Sequence, residues 1–221
     1  MTTAYSEILG RIQAAAAAAG HPARLLAVSK TKPADAVRAL AAEGQRAFGE
    51  NYVQEALAKQ RELSDLALEW HLIGPLQSNK CREVASHFDW LQSLDRDKLI
   101  EPLSRFRPAE RAPLNVLIQV NIDAEASKSG CAPDAVPALA DAVAAAPRLR
   151  LRGLMAIPRP SRDAAVRGAA FARMRALFEA TRSRHPGVDT LSLGMSDDFE
   201  QAIAAGATLV RIGTALFGAR S

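Results

Sequence analysis

The feature of this sequence that most constrains its fold is a regular alternation between short apolar runs and longer amphipathic segments. Eight apolar runs of strand length are separated by segments in which apolar residues recur at helical spacing. The runs are 24–30, 46–51, 69–74, 89–94, 113–122, 149–157, 189–195 and 207–213, and a further helical segment precedes the first. Strands that alternate with helices form right-handed β–α–β units, so the pattern predicts a parallel sheet.

Two parallel architectures fit this alternation: an open doubly wound sheet and a closed (β/α)8 barrel. Eight units fill the 221 residues without a linker between domains, which favours the barrel. The prediction is an α/β fold made of a single (β/α)8 TIM barrel with an additional N-terminal helix. We expect one domain that spans residues 1–221.

Composition and charge argue against several classes of protein. No apolar run approaches the roughly 18 residues needed to span a membrane, and Glu7 and Arg11 interrupt the N-terminal segment, unlike a signal peptide. The net charge is +4, but no block of five like charges occurs, so we expect no nucleic-acid partner. The sequence predicts a cytoplasmic protein whose Cys81 and Cys131 are reduced structural thiols.

Polar residues gather where the predicted strands end, which is where a barrel places its active site. Lys30 is the most informative of them, because it shares a strand face with Leu26 and Val28. An amine partly removed from water is more often neutral, and a neutral amine forms a Schiff base with an aldehyde. The alternative is a lysine whose ammonium reaches solvent from the strand end. Lys32 is a weaker candidate for the same chemistry.

The ends of the last two predicted strands form a second candidate site. Glycine and a hydroxyl-bearing residue follow strand seven (Gly194, Ser196) and strand eight (Gly213, Thr214), each before a helical segment. These two loops are a frequent phosphate site in barrels, because backbone N–H groups at helix starts bind phosphate. The alternative is two ordinary turns. A Schiff-base lysine beside a phosphate site leaves two ligand types open, a sugar phosphate and pyridoxal 5′-phosphate (PLP).

Six segments of the sequence are similar, in order, to one known family. They are LLAVSKTKP, FGENYVQEA, WHLIGPLQSNK, VNIDAEASKSG, LRGLMAIP and LSLGMSDDFEQAIAAGATLVRIGTALFGAR. Together they extend from about residue 24 to 220 and resemble the YggS/PROSC family of PLP homeostasis proteins. That family is similar to the N-terminal barrel of alanine racemase, the fold-type III architecture of PLP proteins.

The resemblance implies PLP as the cofactor and assigns it a set of ligands. Lys30 would hold PLP covalently as an internal aldimine, and Arg211 would face the pyridine nitrogen. An arginine only donates hydrogen bonds, so it would leave that nitrogen unprotonated and the ring a poorer electron sink. The other implied ligands are Ser196, Gly213 and Thr214 for the phosphate, Gly194 and Met195 through their backbone, and Asn51 and His71 near the ring or its substituents.

The resemblance leaves open whether the chain is an enzyme. In alanine racemase a tyrosine from another domain is the second base, and we expect no counterpart here. Tyr5 lies in the first helix, and Tyr52 is expected to pack or to bind ligand. We therefore predict a non-catalytic PLP carrier, a monomer that passes PLP to apo-enzymes. The alternative is a PLP-dependent racemase or lyase with weak activity.

Lys128 is a further candidate, because it lies in the predicted loop after strand five. It could take the aldehyde from Lys30 for a time, or bind a second PLP during transfer. The simpler interpretation is a solvated loop lysine.

Overall fold

The structure, a computed structural model, describes residues 3–125 and 128–218. Eight parallel strands form a closed barrel in sequence order, and β8 pairs with β1. The strands are β1 Arg24–Val28, β2 Ala47–Glu50, β3 Glu69–Leu72, β4 Trp90–Leu94, β5 Leu114–Val120, β6 Leu149–Ala156, β7 Thr190–Ser192 and β8 Leu209–Ile212. Each lies within a predicted run, so the predicted (β/α)8 TIM barrel is confirmed.

Helices surround this barrel. They are α1 Ala4–Ala19, α2 Ala34–Ala42, α3 Val53–Glu62, α4 Cys81–His87, α5 Ile100–Phe106, α6 Val136–Ala145, α7 Ala164–Arg184, α8 Phe199–Ala204 and α9 Thr214–Phe217. The additional N-terminal helix is confirmed as α1, which begins at a capping box between Thr3 and Ser6 and ends at Gly20. Arg11 of α1 pairs with Glu200 of α8 at 2.9 Å, so α1 packs outside the barrel.

The barrel has an outer and an inner core because successive strand residues point to opposite faces. Outward residues such as Leu25 and Ala27 pack in the large core beneath the helices. The lumen holds two smaller apolar groups, Leu26, Ala47, Leu209 and Ile73 in one and Trp90, Leu117 and Met155 in the other. Buried polar side chains also lie in the lumen, and such groups are stable only when hydrogen bonded.

Both cysteines are free and buried. Burial raises the pKa of the Cys131 thiol to about 11, so the thiol stays protonated at neutral pH. This agrees with the prediction of structural thiols. Within residues 3–125 and 128–218, no helix is long and apolar enough to cross a membrane, and no cluster of three or more His, Cys, Asp or Glu side chains could hold a metal ion.

Candidate functional site

A cavity of about 500 Å³ opens at the C-terminal ends of the strands. Its wall combines apolar residues such as Val28 and Ile73 with polar residues from several loops. Seven of the nine predicted ligands line it: Lys30, Asn51, Met195, Ser196, Arg211, Gly213 and Thr214. The structure therefore brings the predicted lysine, the predicted arginine and both predicted hydroxyl groups to one cavity.

Lys30 lies two residues after the end of β1 and is half-buried in the cavity wall. The next residue, Thr31, has a φ of 63°, a left-handed conformation that is uncommon for a β-branched residue. The N–H of Lys32 donates to the carbonyl of Ser29 at 3.0 Å and closes the turn. Lys32 does not line the cavity, so of the two candidate lysines the structure places Lys30 there.

Both peptide groups that flank Lys30 are hydrogen bonded to side chains of α3. The Nζ of Lys59 donates to the carbonyl of Ser29 at 2.7 Å. The Oε1 of Glu55 accepts from the N–H of Thr31 at 2.6 Å and from Lys59 Nζ at 2.7 Å. One ion pair outside the barrel therefore holds the backbone on both sides of Lys30.

The same ion cluster includes Glu50 at the end of β2, whose side chain is fully buried. Its Oε1 accepts from Lys59 Nζ at 2.7 Å and from Ser29 Oγ at 2.5 Å, while its Oε2 has no partner among the described residues. Burial raises the pKa of Glu50, and the hydrogen bonds from Lys59 and Ser29 oppose this. This cluster was not predicted from the sequence. The sequence feature that indicates it is the spacing of four between Glu55 and Lys59, which places them on one helix face.

The loop after β7 is shaped by Gly194, which has a φ of 91°. A Cβ at this position would come within 2.5 Å of the Ala202 side chain, so only glycine fits beside α8. Gly194 does not line the cavity. The N–H of Met195 donates to Asp198 Oδ1 at 2.7 Å. The N–H of Met195 is thus engaged within the loop, and the backbone contacts of Gly194 and Met195 with a phosphate stay a prediction.

The end of β8 offers a clearer anion site. Gly213 precedes α9, and its carbonyl accepts from the N–H groups of Leu216 and Phe217 at 2.9 and 3.0 Å. The first N–H groups of a helix have no acceptor within the helix, so they are available to an anion. Thr214 lies at this helix start, and Ser196 lines the same cavity.

Arg211 of β8 is only 4% exposed, yet it lines the cavity. Its Nη1 donates to Ser192 Oγ at 2.7 Å, and its Nη2 donates to the carbonyl of Ala156 at 2.8 Å. Burial lowers the pKa of Arg211 to about 10, with the charge of Asp198 acting in the opposite direction. The guanidinium is therefore still charged at neutral pH, and two fixed acceptors orient it.

His71 does not line the cavity, so its expected place near the ligand ring stays a prediction. His71 and Ile73 are two residues apart and therefore point to the same face. Ile73, which is nearer the C-terminal end of the strand, lines the cavity. The His71 ring is fully buried and stacks on Trp90 with centroids 5.1 Å apart. The ring nitrogens lie 2.8 Å from Glu69 Oε1 and 2.9 Å from Gln92 Nε2. Burial lowers the pKa of His71, although the hydrogen bond to Glu69 acts to raise it. The lowered pKa favours a neutral imidazole.

Lys128 also lines the cavity. It forms an ion pair with Glu125 at 2.6 Å, and its Nζ donates to the carbonyls of Ile157 and Pro158 at 3.3 and 3.2 Å. It is therefore more than a solvated loop lysine, while its contact with a ligand stays a prediction. Residues 126 and 127 of the same loop segment lie outside the described residues.

Comparison with known proteins adds three findings. A sequence model of the alanine racemase N-terminal domain matches residues 5–221. The pyridoxal phosphate homeostasis protein of Pseudomonas aeruginosa is 61% identical over 218 residues, which are 97% of this chain and 94% of that protein. The homeostasis protein of the same name from Escherichia coli K12 is 54% identical over 221 residues, with the same coverage.

Solved structures agree with these relatives. PipY of Synechococcus elongatus, determined without PLP, is 39% identical with a TM-score of 0.88 and covers 97% of this chain and 98% of its own. PipY with PLP bound is 40% identical with a TM-score of 0.80 and covers 94% and 99%.

Proposed function

Because the chain belongs to the alanine racemase N-terminal domain family, and within it to the pyridoxal phosphate homeostasis proteins of the YggS/PROSC group, we propose that it binds PLP covalently through Lys30 and serves PLP homeostasis as a carrier. The observation that carries the proposal is the placement of a half-buried amine and a buried guanidinium on one cavity wall. PipY with PLP bound supports PLP over a sugar phosphate as the ligand.

The residues present fit PLP group by group. Lys30 would bond to the aldehyde carbon, and Arg211 would donate to the pyridine nitrogen. Ser196, Thr214 and the start of α9 would donate to the phosphate, since Ser196, Gly213 and Thr214 line the cavity and Gly213 and Thr214 lie at the helix start. Asn51 also lines the cavity and would contact a ring substituent. A cavity of about 500 Å³ is in the size range of small-molecule and cofactor sites.

Bound PLP would supply an aldehyde and an electron-withdrawing ring. Arg211 limits the second property, because a charged guanidinium donates a hydrogen bond but gives up no proton at neutral pH. The ring nitrogen would then remain unprotonated, and the ring would stabilise a carbanion less well than one paired with a carboxylate. This chemistry suits storage of a reactive aldehyde better than fast turnover.

Alanine racemase takes its second base from a tyrosine, and no tyrosine lies among the described residues that line this cavity. The chain has two tyrosines. Tyr5 lies in α1, and Tyr52 is 59% exposed and does not line the cavity. Relatives named homeostasis proteins point the same way. We therefore propose a non-catalytic role, in which the protein buffers PLP and releases it to apo-enzymes.

The same proposal describes the chain as one barrel domain over residues 1–221, acting as a cytoplasmic monomer. Sedimentation equilibrium of the PLP-loaded protein tests the monomer. A mass near 23.6 kDa is expected, whereas twice that mass contradicts this part of the proposal.

The decisive experiment compares delivery of PLP with turnover. The PLP-loaded protein is mixed with an apo-form of a PLP enzyme, and recovery of that enzyme's activity is followed. In parallel, common amino acids are incubated with the protein in deuterated water, and α-deuterium is measured by mass spectrometry. Delivery without exchange is expected. Rapid exchange on any of these amino acids would instead establish the alternative, a PLP-dependent racemase or lyase.

A further inference from the structure

A chain of hydrogen-bonded side chains crosses the barrel lumen from Arg211 to Glu69. Arg211 Nη1 lies 2.7 Å from Ser192 Oγ, which lies 2.7 Å from Gln92 Oε1. Gln92 Nε2 lies 2.9 Å from His71 Nδ1, and His71 Nε2 lies 2.8 Å from Glu69 Oε1. Arg211, Ser192, Gln92 and His71 are all at most 4% exposed. The cavity is thus connected to the opposite end of the barrel, where Glu69 pairs with Arg24 at 2.9 Å.

The two end residues of this hydrogen-bonded chain, Arg211 and Glu69, fix the direction of every hydrogen bond in it. Arginine has no acceptor, so Arg211 donates to Ser192 Oγ. The hydroxyl of Ser192 then donates to Gln92 Oε1, and the amide of Gln92 donates to His71 Nδ1. The remaining nitrogen of a neutral His71 carries its proton and donates to the Glu69 carboxylate, which only accepts. Each member therefore donates toward Glu69.

The opposite orientation of Gln92 would break this order. Its amide nitrogen would then face Ser192 Oγ, which already accepts from Arg211, and the serine proton would lose its acceptor. His71 would need a proton on Nδ1, and its Nε2 would face Glu69 without one unless the ring were charged. Burial disfavours that charge. A neutral His71 with the proton on Nε2 is thus the form in which every member of the chain is satisfied.

We propose that His71, Gln92 and Ser192 are positioning residues for Arg211: they hold its guanidinium in the orientation that donates to the ring nitrogen of PLP. The inference rests on the proposed function, since that nitrogen is the acceptor. Ser192 and the carbonyl of Ala156 each hold one Nη of Arg211. Loss of the hydrogen bonds at Gln92 or His71 frees the Ser192 hydroxyl to rotate. This weakens one of the two contacts that hold Arg211. His71 therefore acts on the cavity without touching the ligand.

The first test replaces the middle of the chain and uses a matched control. Gln92→Leu removes both hydrogen bonds of that amide while conserving its size. Gln45→Leu is the control, because Gln45 is also buried and donates to the carbonyls of Leu25 and Ala47 outside the chain. PLP is titrated into each protein, and the visible absorption maximum and Kd are recorded. We expect Gln92→Leu to shift the maximum and to weaken binding by about tenfold, and Gln45→Leu to match wild type in both. Equal behaviour of the two variants would overturn the proposal.

The second test needs no PLP, and its result is read from the wild-type protein. The ring nitrogens of His71 are observed by ¹⁵N NMR in ligand-free wild-type protein, and His71→Asn identifies its signals among those of the four histidines. A neutral ring protonated on Nε2 is expected. A charged ring, or one protonated on Nδ1, would reverse the chain and overturn the proposal. Failure of wild-type protein to bind PLP would instead count against the proposed function, which this measurement does not use.

Discussion

Lys30 and Arg211 reach the same cavity from neighbouring strands, but the molecule holds them in different ways. Lys30 is held through its backbone, by an ion cluster of Lys59, Glu55 and Glu50 that lies outside the barrel. Arg211 is held through its side chain, by the hydrogen-bonded chain inside the lumen. Contacts to the backbone on both sides of Lys30 fix the point from which its side chain starts, whereas the guanidinium of Arg211 has both of its Nη groups anchored.

This difference fits the two tasks of the proposed carrier. In that proposal Lys30 makes and breaks the bond to PLP, and a fixed backbone keeps its side chain at the cavity. The residue that recognises the ring needs a fixed donor, because a misplaced donor loses much of its hydrogen-bond energy. Variants that change one of the two regions at a time test this difference, and the variant at Lys30 should have the strongest effect.

Removing the amine should abolish the covalent bond altogether. Lys30→Ala is expected to show no visible band with PLP after gel filtration, because Lys128, which also lines this wall, is held by Glu125 and by two backbone carbonyls. Lys32→Ala is the matched control, since Lys32 lies outside the cavity, and it should retain the band. Absorbance spectroscopy decides the point. A band that persists in Lys30→Ala and disappears in Lys32→Ala would reverse the assignment.

Breaking the ion cluster should cost the most stability. Lys59→Met leaves the buried Glu50 without its cation and is expected to lower the free energy of unfolding by about 3–5 kcal/mol. Urea denaturation measures this, and the rate of PLP binding should fall as the Lys30 turn loosens. Arg38→Met is the control, because the Arg38–Asp65 pair is exposed and solvent screens its charges, so a much smaller loss of stability is expected. Similar losses in both variants would contradict the account of the cluster.

Replacing the fixed guanidinium should weaken PLP binding while sparing the covalent bond. Arg211→Lys keeps a positive charge but loses the planar fork that bonds to Ser192 and Ala156. We expect Kd to rise about 10- to 100-fold and borohydride to fix PLP on Lys30 as before. Arg184→Lys, an exposed pair with Asp141, is the control and should leave Kd unchanged. An unaltered Kd in Arg211→Lys would remove Arg211 from the site.

The smallest expected effect is a change in how stability depends on pH. The pKa of His71 is lowered in the folded protein from 6.5, so the unfolded chain binds the proton more readily. Stability from His71 is therefore present above pH 6.5 and is lost as the pH falls below it, at up to about 1.4 kcal/mol per pH unit. Urea denaturation at pH 7 and pH 5.5 should show a steeper loss for wild type than for His71→Asn. Parallel slopes would mean that His71 is charged in the folded state.

The sequence predicted the barrel and the position of Lys30 because both depend on local patterns. Strand length and alternation locate β1, and counting in twos from Leu26 places Lys30 on the inner face. Local patterns do not give the depth of His71 in the lumen, because that depth depends on where neighbouring strands end. No local pattern connects Gln92 with Ser192, which are 100 residues apart and meet only when β4 and β7 face each other across the lumen.

The central claim is that the turn held by α3 presents Lys30, and no other lysine, to the aldehyde of PLP. The most direct test is to saturate the wild-type protein with PLP, reduce it with borohydride and map the modified peptides by mass spectrometry. The account predicts a phosphopyridoxyl group on Lys30. A phosphopyridoxyl group on Lys128 or Lys32 with Lys30 unmodified would contradict it.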